Sequence, residues 1–271
     1  MKLAVYIGKN GAETESRLTE LLASLKKGGC ECYFIGADKC LAPDTDMVLS
    51  VGGDGTFLSV SKLVGDSAIP VVGVNMGRLG FLSENRPEDV AEALLGGDYT
   101  IEDRTLLCAV PTHDSGECDE VYALNEVTVH RSGAAVLGID VSIDGKWLPT
   151  YWADGLIVST SSGSTAYSLS VGGPIVLPQS KVLLISPIAP HNLNVRPLVI
   201  PDSSEIMLSL QSRDGKFVFT ADNMTREYPE DYKIRVAVAR FSLRRVRLNR
   251  SDFINALTEK LFWGEDVRNI K

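Results

Sequence analysis

The segment Gly52-Gly53-Asp54-Gly55-Thr56 sets one carboxylate inside a run of glycines, directly after the apolar run Met47-Val48-Leu49-Ser50-Val51. A glycine-rich turn between a strand and a helix points backbone N–H groups outward, and the helix dipole adds partial positive charge. Such a turn is an anion site. The glycines alone are equally well explained as a tight connector, but the acid changes that balance. A carboxylate about 4 Å from a unit negative charge is repelled by about 4 kcal/mol at an effective dielectric of about 20. A loop built only to hold phosphate avoids this cost. Two tasks justify an acid there: holding a metal ion that bridges phosphates, or taking a proton from an attacking hydroxyl. Both belong to phosphoryl transfer. The loop is not a Walker A sequence, because no Lys-Ser or Lys-Thr pair follows it, and Gly53-x-Gly55 lacks the third glycine of the dinucleotide fingerprint.

Other residues suit a nucleotide. Asn125 and Glu126 supply an amide and an acid at neighbouring positions near a strand end, fitted to ribose hydroxyls, although alone the pair reads more simply as an exposed strand end. Gly163-Ser164-Thr165-Ala166-Tyr167 opens a short helix whose free N–H groups can meet a diphosphate or a base edge; the plainer reading is a Ser/Thr-capped helix start. Asp154 can accept from an exocyclic amine such as that of adenine. His113, His130 and His191 form no set by spacing. Arg235, Arg240, Arg244, Arg245, Arg247 and Arg250 alternate in part, as on a solvated strand face. Five cysteines without a CxxC pair read as reduced thiols, not as a zinc site.

These groups need two different scaffolds. Over the first hundred residues, short apolar runs (Lys2 to Ile7, Glu31 to Ile35, Met47 to Val51, Pro70 to Val74) alternate with helical stretches (Glu13 to Lys27, Thr56 to Val64, Glu88 to Leu95). Leu18, Leu21, Leu22 and Leu25 fall on one stripe of the first helix, and Pro87 and Gly96-Gly97 bracket the last. That alternation predicts an α/β domain with a parallel sheet, residues 1–100. From about Thr100 the runs are short and β-prone, including Leu106 to Thr112, Val121 to His130, Gly138 to Ile143, Lys146 to Thr150, Leu156 to Thr160, Val182 to Ser186 and Glu205 to Leu210. Asp144-Gly145 and Asp214-Gly215 read as hairpin turns. A mainly antiparallel β domain, residues 101–244, follows from this. A final helix, Ser251 to Phe262, is expected to start at a Ser251 cap and pack back on the first domain, which segment 245–271 joins.

The net charge of −8 and a pI near 5.0 argue against a nucleic-acid partner. No apolar run reaches the roughly 18 residues of a membrane span. The start lacks the layout of a secretory signal, so a cytoplasmic location is expected.

The Gly-Gly-Asp-Gly-Thr loop resembles that of NAD kinases, of diacylglycerol- and sphingosine-type lipid kinases and, in related form, of phosphofructokinases. Alone it does not choose the acceptor. Further segments resemble the NAD kinase family: Leu124-Asn125-Glu126-Val127, the run from Asp154 through Gly163-Ser164-Thr165-Ala166-Tyr167 to Ser170, Gly73 to Leu82, Pro187 to Leu193 and Leu261 to Asp266. The resemblance spans nearly the whole chain. It implies transfer of the terminal phosphoryl group of ATP to the adenosine 2′-hydroxyl of NAD, with Asp54 as the base. It also implies that Gly52, Gly53, Gly55 and Thr56 hold the donor phosphates, and that Asp54, Gly55, Asn125, Glu126, Asp154, Thr165, Ala166, Tyr167, Ser168, Leu169 and Ser170 line the NAD site. The implied cofactor is a divalent metal such as Mg²⁺, held mainly by the nucleotide with no protein metal site. The implied assembly is a homodimer or homotetramer. Trp152 and Met224 depart from the family pattern, where a basic residue and a glutamine are common. A lipid kinase on the same loop and a non-catalytic nucleotide-binding regulator are the alternatives.

Overall fold

A computed structural model describes residues 1–8, 12–36, 40–77, 80–114 and 116–263; side chains are described from residue 16 onward in the first helix. Arg78, Leu79 and the Gly264-Glu265-Asp266 end of the last matched segment lie outside the described residues. The chain divides into two compact units, Met1–Asp103 with Leu243–Lys271, and Arg104–Ser242.

The first unit is α/β. Its sheet runs Glu31–Phe34, Lys2–Ile7, Met47–Val51, Val71–Val74, Leu243–Leu248 and Tyr99–Arg104, in that order. The first five strands pair in parallel. Met47–Val51 is buried at every position because neighbouring strands cover both its edges and packed elements both its faces. Leu18, Leu21, Leu22 and Leu25 of the Ala12–Lys27 helix bury against Leu3, Leu49, Val72 and Val90. Register sets Ile7 beside Val51 and Val51 beside Val74, so the segments at Gly8, Gly52 and Asn75 leave the sheet along one edge. That carboxyl edge is where open α/β sheets bind ligands.

The last helix, Phe253–Leu261, belongs to this unit, as its apolar face requires. Its cap is Asp252 and not Ser251: the Asp252 carboxylate accepts from the Ile254 N–H at 3.0 Å, while the Ser251 hydroxyl bonds Asn85. The basic run does not behave as one solvated face either. Arg245 is 4% exposed, because its strand is interior to the sheet and Glu84 lies 2.6 Å from its guanidinium.

The second unit packs an eight-stranded and a six-stranded antiparallel sheet around one core, including Leu107, Ile139, Val158, Leu208, Phe217 and Phe219. Three expectations are corrected there. Val121 to His130 is two strands, Val121–Ala123 in one sheet and Glu126–Arg131 in the other, because Asp222 takes over the backbone N–H groups between them. Asp144-Gly145 is a tight hairpin with φ of 49° and 77°, but its second strand ends at Trp147, before Pro149. Asp214-Gly215 joins strands of different sheets, and only Gly215 has positive φ, so it makes no hairpin. Among the described residues no helix is long and apolar enough to cross a membrane.

Candidate active site

In the first unit the glycine loop leaves the buried strand at Gly52, whose φ of 149° suits glycine. A Cβ at Gly52 would also stand 2.3 Å from the Thr56 hydroxyl, which is turned in toward Gly8 and Gly52. Gly53 and Gly55 are different. Neither needs positive φ, and a Cβ at either would meet no atom of the described residues within 4 Å. Among the described residues nothing demands glycine there, and an anion could approach the bare backbone. Asp54 is the first residue of the Asp54–Val64 helix.

The Asp54 carboxylate is held by three backbone donors. Oδ1 accepts from the Leu82 and Ser83 N–H groups at 3.1 and 2.9 Å, and Oδ2 accepts from Phe81 N–H at 3.0 Å. A carboxylate offers about four acceptor sites, so Oδ2 keeps one for a further proton donor. Gly80 is required beside it, since a Cβ there would stand 1.9 Å from Oδ1. The amide-bearing segment is itself fixed. Arg245 donates to the Phe81 and Leu82 carbonyls at 3.4 and 3.3 Å while paired with Glu84, and Lys260 donates to the Gly80 carbonyl. Composition and spacing single out none of Glu84, Arg245 and Lys260 for this site. The lysine lies 180 positions from Gly80 along the chain.

In the second unit Asn125 and Glu126 sit at the corner between two sheets. The Asp222 carboxylate accepts from the Leu124, Asn125 and Glu126 N–H groups at 2.8, 2.9 and 3.3 Å. The glycine-rich segment meets this corner directly. Thr160 donates to the Leu124 carbonyl at 2.6 Å and accepts from Gly163 N–H at 3.1 Å. A Cβ on Gly163 would stand 2.1 Å from the Asn125 carbonyl oxygen, so glycine permits the contact. Glu126 is pushed up to about 7, first by burial and then by the nearby Asp222 carboxylate; only the Tyr167 N–H pulls the other way. Its Oε2 is buried with no hydrogen-bond partner among the described residues.

Around this corner the candidates separate. Asp154 pairs with Arg131 at 2.8 Å, and the exposed Tyr167 ring stacks on His130 with centroids 5.8 Å apart. Burial lowers the His130 pKa, against a smaller upward pull from Asp154. Thr165, Ala166, Leu169 and Ser170 retain exposure on the turn formed by Ser162–Thr165 and Tyr167–Ser170. Ser168 does not: it is fully buried and bonds Ser186 at 3.0 Å, so its side chain holds the turn together. The Trp152 ring covers Gly138 and is 40% exposed, Met224 packs on the core, and His191 is exposed with its N–H bonded to the Trp152 carbonyl. Asp222, Arg131 and His130 adjoin the expected residues, and no spacing in the sequence points to them.

An acid-bearing glycine loop on an α/β unit and an Asn-Glu corner on a β unit fit a nucleotide-dependent phosphotransferase. Residues 34–101 match the ATP-NAD kinase N-terminal domain and residues 124–248 match the ATP-NAD kinase C-terminal domain. The NAD kinase of Bacteroides fragilis is 39% identical over 290 residues, covering 99% of this chain and 100% of its own. That of Flavobacterium psychrophilum is 37% identical over 277 residues, covering 99% and 94%. Among solved structures, yeast NADH kinase complexed with NADH superposes with a TM-score of 0.87 at 26% identity, covering 100% of this chain and 90% of that one. An Archaeoglobus fulgidus NAD kinase in complex with ATP gives 0.77 at 25% identity, covering 96% and 98%. The chain belongs to the ATP-NAD kinase family, and the lipid-kinase alternative falls away.

Proposed function

We propose that the chain transfers the terminal phosphoryl group of ATP to the adenosine 2′-hydroxyl of NAD, with Asp54 as the base. The observation that carries this reading is the Asp54 carboxylate, oriented by three N–H groups between two glycines whose outer faces meet no described residue. The 2′-oxygen bonds to the γ-phosphorus, the bond to the bridging oxygen of ADP breaks, and the hydroxyl proton passes to Oδ2. Backbone N–H groups of Gly53 and Gly55 hold the donor phosphates, with Gly52 and Thr56 shaping the loop beneath them. Positioning and electrostatics supply most of the acceleration, as in phosphoryl transfer generally.

For the acceptor, Asn125 and Glu126 take ribose hydroxyls, Asp154 the adenine amine, and the exposed part of 165–170 the dinucleotide backbone. Among the described residues no three His, Cys, Asp or Glu side chains converge to hold a metal ion. These residues do not form a cage for a divalent ion. Mg²⁺ held mainly by oxygens of the nucleotide would neutralise charge on the donor phosphates. A homo-oligomer in the cytoplasm completes the reading. The test is NADP formation from NAD and labelled ATP by the parent and by Asp54→Asn. The parent forms NADP, and the variant keeps NAD affinity within a few-fold while turnover falls by about 10²–10⁴. Near-parental turnover in the variant sinks the assignment of Asp54, and NAD binding without any NADP from the parent would establish a non-catalytic regulator instead.

A further inference from the structure

Lys260 stands in the last turn of the Phe253–Leu261 helix, where a cation complements the helix dipole from solvent at little cost. It does not stay in solvent. Its ammonium donates to the Gly80 carbonyl and lies 4.7 Å from the centroid of the Phe81 ring. Gly80 therefore stands between two charges, its carbonyl on the ammonium and its bare Cα against the Asp54 carboxylate. Phe81, over which the ammonium sits, donates its N–H to Asp54 Oδ2. An ammonium has three donors, so its reach is not exhausted by one carbonyl.

We propose that Lys260 is a positioning residue for Asp54: it pins the Gly80–Ser83 backbone that orients the carboxylate and places positive charge behind it. This rests on Asp54 being the base, as above. The charged groups facing the ammonium are Glu84 from the amide segment, Asp54 from the Asp54–Val64 helix, Arg245 from the Leu243–Leu248 strand and Glu259 from its own helix. Burial is the largest influence and lowers the lysine pKa; Glu84 and then Asp54 raise it, and Arg245 opposes them. Desolvating an ammonium is costly for a side chain whose only task is docking a helix, and the neighbouring carboxylates offset only part of that cost. Through this contact the docking of the last helix bears on phosphoryl transfer.

The test compares Lys260→Met, Lys260→Arg, Leu257→Ala and Asp54→Asn in the full chain, reading kcat, the KM for NAD, melting temperature and the pH profile of kcat. Leu257 is buried on the same helix and carries no charge, so its truncation loosens the helix alone. The expected result for Lys260→Met is a fall in kcat of about 10- to 100-fold, the scale of one lost charge-assisted hydrogen bond, with KM within about twofold. Its acid limb moves to higher pH, because removing a cation favours a protonated neighbour. Lys260→Arg restores most of kcat, and Leu257→Ala lowers the melting temperature with the acid limb in place. Combined with Asp54→Asn, Lys260→Met should cost nothing further. Parental kcat and pH profile in Lys260→Met overturn the proposal, as does a loss that Leu257→Ala reproduces at equal destabilisation with the same profile. An active Asp54→Asn variant would instead overturn the base assignment, so the two failures are distinguishable.

Discussion

Glu126→Gln isolates the electrostatic cost of the Asn125-Glu126 corner. In the folded protein the Glu126 carboxyl is pushed from 4.5 up to about 7 by burial and by Asp222. At about 1.4 kcal/mol per pH unit, charging it in place costs about 3 kcal/mol. The folded state therefore holds a proton more tightly than the unfolded chain. Stability from this group is fully present below pH 4.5, declines as pH rises toward about 7, and is absent above it. Glutamine mimics the neutral carboxyl and never charges. The assay is urea unfolding of parent and variant at pH 5 and pH 8, read as the difference between them so that other titrating groups cancel. The variant should gain little at pH 5 and up to about 3 kcal/mol at pH 8, about two orders of magnitude in the unfolding constant. NAD affinity should move oppositely: the parent binds more tightly as the carboxylate forms, and the variant shows no such rise. A stability difference that is the same at both pH values would falsify the account of Glu126 as a carboxylate charged at a cost.

Gly55→Ala should raise stability by up to about 1 kcal/mol, because alanine is favoured in a helix and meets no protein atom there, while the KM for ATP rises; thermal melts and initial rates separate the two effects. Gly163→Ala should lose NAD binding by calorimetry and cost about 1–3 kcal/mol in denaturant, since its methyl overlaps the Asn125 backbone. Arg245→Met strands Glu84 and should cost about 3–5 kcal/mol, whereas the double variant with Glu84→Met should recover much of that loss in the same melts.

The α/β half was readable because its periods change sharply and its breakers are unambiguous: leucines at helical spacing, then Gly28-Gly29, and Pro87 with Gly97 around the next helix. The place of the glycine loop between a buried strand and a helix was readable for a different reason, since an apolar run meets three glycines within four residues. The β half was legible as a class but not in its breaks. A run such as Val121 to His130 is continuously β-prone, and it divides only because Asp222, about a hundred residues on, supplies acceptors for the N–H groups of the corner. Propensity reports what a strand's own residues prefer; it is silent on a carboxylate delivered from another hairpin. The same limit hid Arg245, whose alternating basic neighbours suggest an outward face. It is buried by a strand order that inserts Leu243–Leu248 beside Val71–Val74.

The two candidate acids, Asp54 and Glu126, differ less in exposure than in what surrounds them. Asp54 receives three backbone N–H groups and has Arg245 and Lys260 behind the segment that supplies them. Glu126 has one N–H, from Tyr167, and faces a second carboxylate that has claimed three amides of its own. Fixed dipoles aimed at a carboxylate hold its orientation without reorganising as the reaction proceeds, which is what a group at the reacting atoms requires. A buried carboxylate short of donors instead gains most from a ligand that brings hydroxyls, because each one relieves an unmet acceptor. On the proposed reading Asp54 would be organised before NAD arrives, while Glu126 would be completed by it. The loop could then tolerate an acid beside phosphate, and the corner would select a ligand able to donate.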